Sequence, residues 1–151
     1  KLYWQIRKMV LDHDDANDLL QNTFLKAWMN IDYFRGEAKL STWLYKIAIN
    51  ECITFLNRQR MQNNVSIDDT DVFLLECLKG DEYFDGDAAQ MKLQEAILTL
   101  PEKQRAVFNM KYFDDMKYED MSEIFGTSVG ALKASYHHAV KKVEEFLTKD
   151  I

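Results

Sequence analysis

The chain has 151 residues, of which 47% are hydrophobic and 29% are charged, enough for one ordinary domain or two small ones. No stretch approaches the roughly 20 apolar residues that cross a membrane, and the first residues lack the apolar core of a signal peptide, so no direct membrane insertion is expected. The single Pro and five Gly leave long stretches free to be helical, which predicts an all-α fold.

The net charge of -6 is concentrated in one segment. Residues 1–64 carry nine Lys or Arg and seven Asp or Glu, residues 65–90 carry one and eight, and residues 91–151 carry nine and ten. DNA binding depends on the local field of one face, so the overall acidity does not exclude a nucleic-acid partner. The pattern predicts two small helical domains, residues 1–64 and 88–151, joined by a flexible acidic linker, residues 65–87.

Residues 1–64 are predicted to be helical throughout, apart from a break at residues 35–38. The helix between Asp14 and Ile31 has apolar residues that recur at helical spacing. Asp12, Asp14 and Asp15 lie at its start, where carboxylates can cap free backbone N–H groups and oppose the helix dipole. The expected apolar stripe is Leu19, Leu20, Phe24, Ala27, Trp28 and Ile31.

A second helix is predicted from about Ser41 to Arg60, after a break at residues 35–38. Ser41 or Thr42 is the expected N-cap. The apolar stripe of this helix is Trp43, Leu44, Ile47, Ala48, Cys52, Phe55 and Leu56.

Cys52 and Cys77 are the only cysteines in the sequence. They form no CxxC pair, and with three scattered histidines they make no metal-ligand pattern, so no metal or cofactor is expected. Cys52 lies in an apolar periodic segment and is expected to fill a core. Two reduced thiols are typical of a cytoplasmic protein.

The linker is interrupted by Phe73, Leu74, Leu75 and Leu78, which could form a short helix that docks on a domain. Beyond the linker, Pro101 suits the first turn of a helix, Gly126 suits a left-handed C-cap and Ser128 suits an N-cap. The helices expected there are Ala88–Leu98, Glu102–Phe113, Tyr118–Phe125 and Ser128 to about Leu147, with a turn at Asp114-Asp115.

Residues 118–147 form a helix-turn-helix pattern, in which a short helix and a glycine turn precede a second helix. Between Ser128 and Lys142 that second helix carries three lysines, two histidines and no acid. Lys and His donate hydrogen bonds to phosphates and to base acceptors, and Ser can donate or accept. The residues predicted to contact DNA are Lys133, Ser135, His137, His138 and Lys141.

Two blocks of the chain together resemble the sigma-70 family of RNA polymerase sigma factors, in its small extracytoplasmic-function (ECF) class. Residues 14–28, Phe34-Arg-Gly and residues 41–50 are similar to the family's second conserved region. Residues 100–108 and the helix-turn-helix are similar to its fourth region. The resemblance implies an alternative sigma factor that directs bacterial RNA polymerase core to specific promoters, opens the minus-ten element and initiates transcription.

Site residues follow from the resemblance. The polymerase-binding residues would be Asp15, Asp18, Gln21, Asn22 and Lys26. The minus-ten DNA residues would be Phe34, Arg35, Gly36, Lys39, Tyr45, Lys46, Asn50, Thr54, Asn57 and Arg58, with Arg60 continuing the face. The helix-turn-helix residues would bind the minus-thirty-five element.

The resemblance also implies the partners: the beta and beta-prime subunits of RNA polymerase core, promoter DNA and an anti-sigma factor. The alternative is a conventional helix-turn-helix regulator that binds duplex DNA as a symmetric dimer. An enzyme is not expected, because no Gly-rich phosphate loop, HExxH, GxSxG or paired catalytic carboxylate pattern occurs.

Overall fold

The structure, a computed structural model, describes residues 2–34, 36, 39–62, 78 and 87–149. In these ranges the chain forms helices and no strand, so the prediction of an all-α fold is confirmed. A short 3-10 helix spans Ile31–Tyr33. The α-helices are α1 (Leu2–Val10), α2 (His13–Met29), α3 (Leu40–Gln62), α4 (Ala88–Leu98), α5 (Glu102–Tyr112), α6 (Tyr118–Phe125) and α7 (Val129–Thr148).

Helices α1 and α2 are separated by a sharp turn that the sequence did not predict. Leu11 lies there with a φ of 65°, the left-handed conformation that costs a residue with a Cβ about 1–2 kcal/mol. Its side chain is 1% exposed, and its carbonyl accepts a hydrogen bond from the Arg7 guanidinium. Burial and this hydrogen bond therefore offset the strain at a position that no Gly or Pro marks.

The start of α2 agrees with the predicted cap, and the start of α3 does not. The Asp12 carboxylate accepts a hydrogen bond of 2.9 Å from the Asp15 backbone N–H, so the predicted cap of α2 is confirmed. The predicted cap of α3 is wrong, because α3 begins at Leu40 and Thr42 is buried within it. The helix therefore starts one residue before Ser41, and both predicted caps lie in its first turn.

We expect Asp12→Ala to lower the free energy of unfolding by about 1 kcal/mol, since one N–H of the first turn of α2 loses its acceptor. Urea denaturation monitored by circular dichroism measures the change. Asp14→Ala is the matched control: Asp14 is exposed in the same turn, and its loss removes only a favourable dipole interaction, which contributes about 0.3 kcal/mol at an exposed position. Equal losses in both variants would show that the cap itself contributes nothing.

The main hydrophobic core contains residues from the helices on both sides of the acidic segment. It contains Met9 of α1, Ile49 of α3, Met110 of α5 and Met121 of α6, all at most 2% exposed. A smaller core lies among α4, α5 and α7 and is built from Ala96, Ile97, Leu100, Phe108, Ala139 and Val143. The two predicted helical units therefore pack directly against each other, while the predicted boundaries at residues 64 and 88 stay predictions.

Leu78 is the one residue described between positions 63 and 86. It is helical and fully buried in the main core, as expected of a docking residue. Phe73, Leu74 and Leu75, Cys77 and the rest of the predicted linker up to residue 86 lie outside the described residues. Within the described ranges, no helix has the length and apolar character needed to span a membrane.

The helix-turn-helix forms as predicted. Gly126 ends α6 with a φ of 67°, and its N–H donates to the Ser122 carbonyl. The Ser128 hydroxyl accepts a hydrogen bond of 3.1 Å from the Ala131 N–H and caps α7. These two local signals set the angle between α6 and α7, and α7 then packs on α4, α5 and α6.

Candidate nucleic-acid and partner surfaces

A basic row lies on the outer face of α7. Lys133, His137 and Lys141 are exposed and follow each other at intervals of four residues, so they share one helix face. The opposite face of α7 buries Leu132, Ala139 and Val143 in the two cores. Because packing holds the helix by its apolar side, the row is presented outward, as an element that enters a major groove requires.

The other two residues predicted on α7 lie at the sides of this row. His138 is exposed, and its ring centroid is 6.1 Å from that of His137. Ser135 is half-buried. In the part of the chain that is described, no group of three His, Cys, Asp or Glu is placed to hold a metal ion.

A second polar row lies on α3. Five of the residues predicted for the minus-ten element are exposed and share one face of α3. They are Lys46, Asn50, Thr54, Asn57 and Arg58. The opposite face is packed, with Ala48, Ile49, Cys52 and Leu56 in the main core. The row therefore presents amide, hydroxyl and cationic groups along an open surface about 18 Å long, at 1.5 Å per residue.

Of the predicted residues near the start of α3, Tyr45 is buried and Lys39 is paired, although the Lys39 side chain stays 66% exposed. Tyr45 is 8% exposed and belongs to the main core, and its burial, followed by the nearby Asp114 carboxylate, raises the pKa of its phenol. Lys39 forms an ion pair of 3.6 Å with Asp120 of α6. Tyr45 therefore cannot stack on a base in this arrangement.

The loop before α3 is described in part. Phe34 is half-buried, and its ring centroid lies 5.1 Å from that of Trp43. Gly36 is exposed with a φ of 73°, a conformation that glycine adopts without strain. Arg35 lies outside the described residues.

Arg60 does not continue the polar row of α3, contrary to expectation. Its guanidinium pairs with the Glu102 carboxylate at the start of α5, and the two side chains are only 18% and 12% exposed. The helical spacing did not reveal this, because the partner lies 42 residues further along the chain.

The predicted polymerase-binding residues lie along the outer side of α2. Asp18, Gln21, Asn22 and Lys26 are exposed, and the Lys26 ammonium pairs with Glu51 of α3. Asp15 is half-buried, and burial raises the pKa of its carboxyl, as do the neighbouring carboxylates of Asp12, Asp18 and Asp14.

Beside these polar groups lies an apolar groove that the sequence did not predict. The periodicity predicted Phe24, Trp28 and Ile31 in the core, but they are exposed, Trp28 by 77%. They line a groove of about 690 Å³ together with Gln21, Leu25, Ala27, Leu40, Trp43 and Leu44. The sequence held one signal for this groove: the apolar residues of α2 cover a wider arc of the helix surface than a single buried stripe does.

Cys52 is fully buried, as predicted for a core thiol, and burial raises its pKa to about 12. Only the thiolate reacts readily with alkylating reagents. We expect Cys52 in a Cys77→Ser variant to resist iodoacetamide at pH 8.5 and to react fully once urea unfolds the chain. Mass spectrometry of the Cys52 peptide measures the modified fraction, and rapid labelling of the folded chain would contradict the buried position.

Comparison with known proteins finds matches for two separate parts of the chain. The family model described as sigma-70 region 2 matches residues 1–61, and the model described as sigma-70, region 4 matches residues 90–143. The first match covers the helices that carry the groove and the α3 row. The second covers the helix-turn-helix.

Curated relatives extend over nearly the whole chain. RNA polymerase sigma factor SigV of Bacillus subtilis (strain 168) is 30% identical over 141 residues, 93% of this chain and 81% of its own length. The ECF RNA polymerase sigma factor SigW of the same organism is 30% identical over 145 residues, 91% of this chain and 78% of its own length.

A solved structure shares the fold. The sigma factor RpoE of Bartonella quintana, in complex with the anti-sigma factor NepR, superposes with a TM-score of 0.71 at 23% identity, covering 99% of this chain and 91% of that chain. The helical fold and the two matched regions define a transcription initiation factor. This chain belongs to the sigma-70 family, in its ECF class.

Proposed function

We propose that this chain is an alternative sigma factor that brings bacterial RNA polymerase core to a promoter and uses two separate surfaces to bind DNA. Helix α3 would hold the minus-ten element and helix α7 the minus-thirty-five element. The observation that carries the proposal is the pair of outward polar rows, one on each of these helices, in a chain with both sigma-70 regions in order.

The α3 row suits a strand whose bases have been unpaired. Lys46 and Arg58 can neutralise phosphates, and the Asn50 amide can both donate to and accept from an unstacked base. Aromatic side chains hold such bases by stacking, a role that Phe34 and Trp43 could serve, since their ring centroids lie 5.1 Å apart. Tyr45 could join them only after its surroundings open.

Helix α2 would dock on the beta-prime and beta subunits of the core enzyme. Its exposed carboxylates and amides suit a basic partner, and the adjoining groove of Trp28 and Phe24 supplies an apolar centre. The same exposed surface could be covered by an anti-sigma factor when the chain is inactive. These partners would locate the chain in the cytoplasm, where transcription occurs.

Run-off transcription tests the proposal directly. Purified core polymerase, this chain and a pool of genomic promoter fragments should produce specific transcripts that are absent when the chain is omitted. No transcripts, combined with tight duplex binding by the chain alone as a dimer, would support the conventional helix-turn-helix regulator instead. An analytical ultracentrifugation run on the same sample decides whether the chain is a monomer or a dimer.

A further inference from the structure

An ion pair joins α2 to α3 at the edge of the α3 row. The Lys26 ammonium of α2 donates to the Glu51 carboxylate of α3, and the two side chains are 59% and 15% exposed. Glu51 is the one acid within Leu40–Gln62, the span of α3, and the other charged residues of this helix are basic. Without its partner, the Glu51 carboxylate would be the single negative charge on a helix that is expected to bind DNA.

Glu51 lies beside the exposed row of α3. It directly follows Asn50, and Thr54 and Arg58 come three and seven residues later, spacings that bring side chains to the same side of a helix. Arg58 lies about 10 Å further along the helix axis, at 1.5 Å per residue. A phosphate held by Arg58 would therefore lie on the order of 10 Å from the Glu51 carboxylate, where a bare negative charge repels it.

Lys26 differs in charge from the rest of the exposed polar face of α2. It is the one Lys or Arg within His13–Met29, the span of α2, and its exposed polar neighbours include Asp18, Gln21 and Asn22. A face of carboxylates and amides suits a basic partner, which an ammonium on the same face would repel. The Lys26 ammonium is held by α3 instead, so its pairing points to the DNA side of the domain.

We propose that Lys26 is a positioning residue for DNA binding, which neutralises Glu51 so that phosphates can approach the α3 row. The proposal rests on the proposed function of that row. Lys26 acts through Glu51 and contacts neither the DNA nor the polymerase. A unit charge on the order of 10 Å from a phosphate, at an effective dielectric constant of about 40, changes the affinity about fourfold.

The test measures DNA affinity with core polymerase at saturation, so that changes in core binding do not enter. The probe is a labelled promoter fragment from the run-off assay that is already unpaired across the minus-ten element. Lys26→Ala should weaken its binding about fourfold, because Glu51 then has no partner. Glu51→Gln should bind at least as tightly as the wild type. Lys103→Ala, which removes the same charge at an exposed position of α5, should stay within about twofold of the wild type.

Two double variants separate the charge of Glu51 from the ion pair itself. Lys26→Ala with Glu51→Gln has no ion pair, yet its affinity should return to within about twofold of the wild type, since no bare carboxylate is left. Lys26→Glu with Glu51→Lys restores the pair with its charges exchanged and should bind at least as tightly as the wild type. A pair that only held α2 against α3 would be replaced by the second variant and not by the first.

Affinity for core polymerase is measured separately, by competition with a labelled wild-type chain, and Lys26→Ala should not weaken it. A loss of core binding that Glu51→Gln does not restore would overturn the proposal and make Lys26 a polymerase contact. Equal losses of DNA affinity in Lys26→Ala and in its double variant with Glu51→Gln would overturn it as well.

The exchanged pair keeps the proposal testable if circular dichroism shows that Lys26→Ala is unfolded. Weaker DNA binding by the folded variant Lys26→Glu with Glu51→Lys than by the wild type would then overturn the proposal. Failure of the wild-type complex with core polymerase to bind any promoter fragment would instead reject the proposed function, and the role of Lys26 with it.

Discussion

Replacing both Lys133 and Lys141 by alanine is expected to weaken binding of the polymerase complex to promoters that depend on the minus-thirty-five element by about 100-fold. Both ammonium groups lie in the outward row of α7. A charge-assisted hydrogen bond contributes about 1.5 kcal/mol, and about 1.4 kcal/mol corresponds to a factor of ten, so two lost contacts give roughly two factors of ten. Fluorescence anisotropy with a labelled promoter duplex measures the affinity.

Salt dependence separates loss of phosphate contacts from loss of fold. Each lost phosphate contact should reduce the slope of log K against log salt by about 0.9, so the double variant should lose about 1.8. Lys142→Ala with Lys149→Ala is the matched control, since it removes the same charge at exposed positions outside the row. An equal loss of affinity in the control would show that net charge, rather than the row, attracts the DNA.

Replacing both Lys46 and Asn50 by alanine is expected to reduce open complexes by about 30-fold while leaving duplex binding at the upstream element within about twofold. The two side chains are neighbours at a spacing of four residues on the exposed face of α3. Losing one phosphate contact and one neutral contact to an unpaired base costs about 2 kcal/mol together. Permanganate reactivity of unpaired thymines across the minus-ten element measures the open fraction.

A template that is already unpaired across the minus-ten element distinguishes the two rows. It removes the cost of unpairing bases, so it should recover part of the activity that the α3 variant loses and little of what the α7 variant loses. Gln62→Ala, at an exposed position at the end of α3, should behave as the wild type. Identical responses of the α3 and α7 variants to this template would contradict the division of roles between the two helices.

Helices were predicted well where the sequence carries residues that cap or end a helix. Gly126 and Ser128 act through hydrogen bonds to residues at most four positions away, so the helix-turn-helix was predictable and was confirmed. Apolar spacing likewise predicted Cys52 in a core and the outward direction of Lys133 and Lys141. Such features depend on neighbours in sequence, which periodicity describes.

Contacts between distant residues could not be predicted in this way. The buried Leu11 holds a left-handed turn without glycine, and Trp28 is exposed although its spacing matches a core stripe. Arg60 and Tyr45 were predicted to face DNA, but Arg60 pairs with Glu102, and Tyr45 is packed in the core near Asp114. Periodicity identifies which residues share a face, but it does not say which face a second helix will cover.

The sequence by itself therefore determined the helical class, the helix-turn-helix and the family, because these depend on propensity, capping and two sets of short motifs. Only the tertiary structure decided that the two regions share a core, that α2 leaves an apolar groove open and that α6 lies against α3. The physical reason is that burial is a property of pairs of surfaces. The sequence of an amphipathic helix determines which of its sides is apolar. Which other helix covers that side depends on the packing of the whole chain.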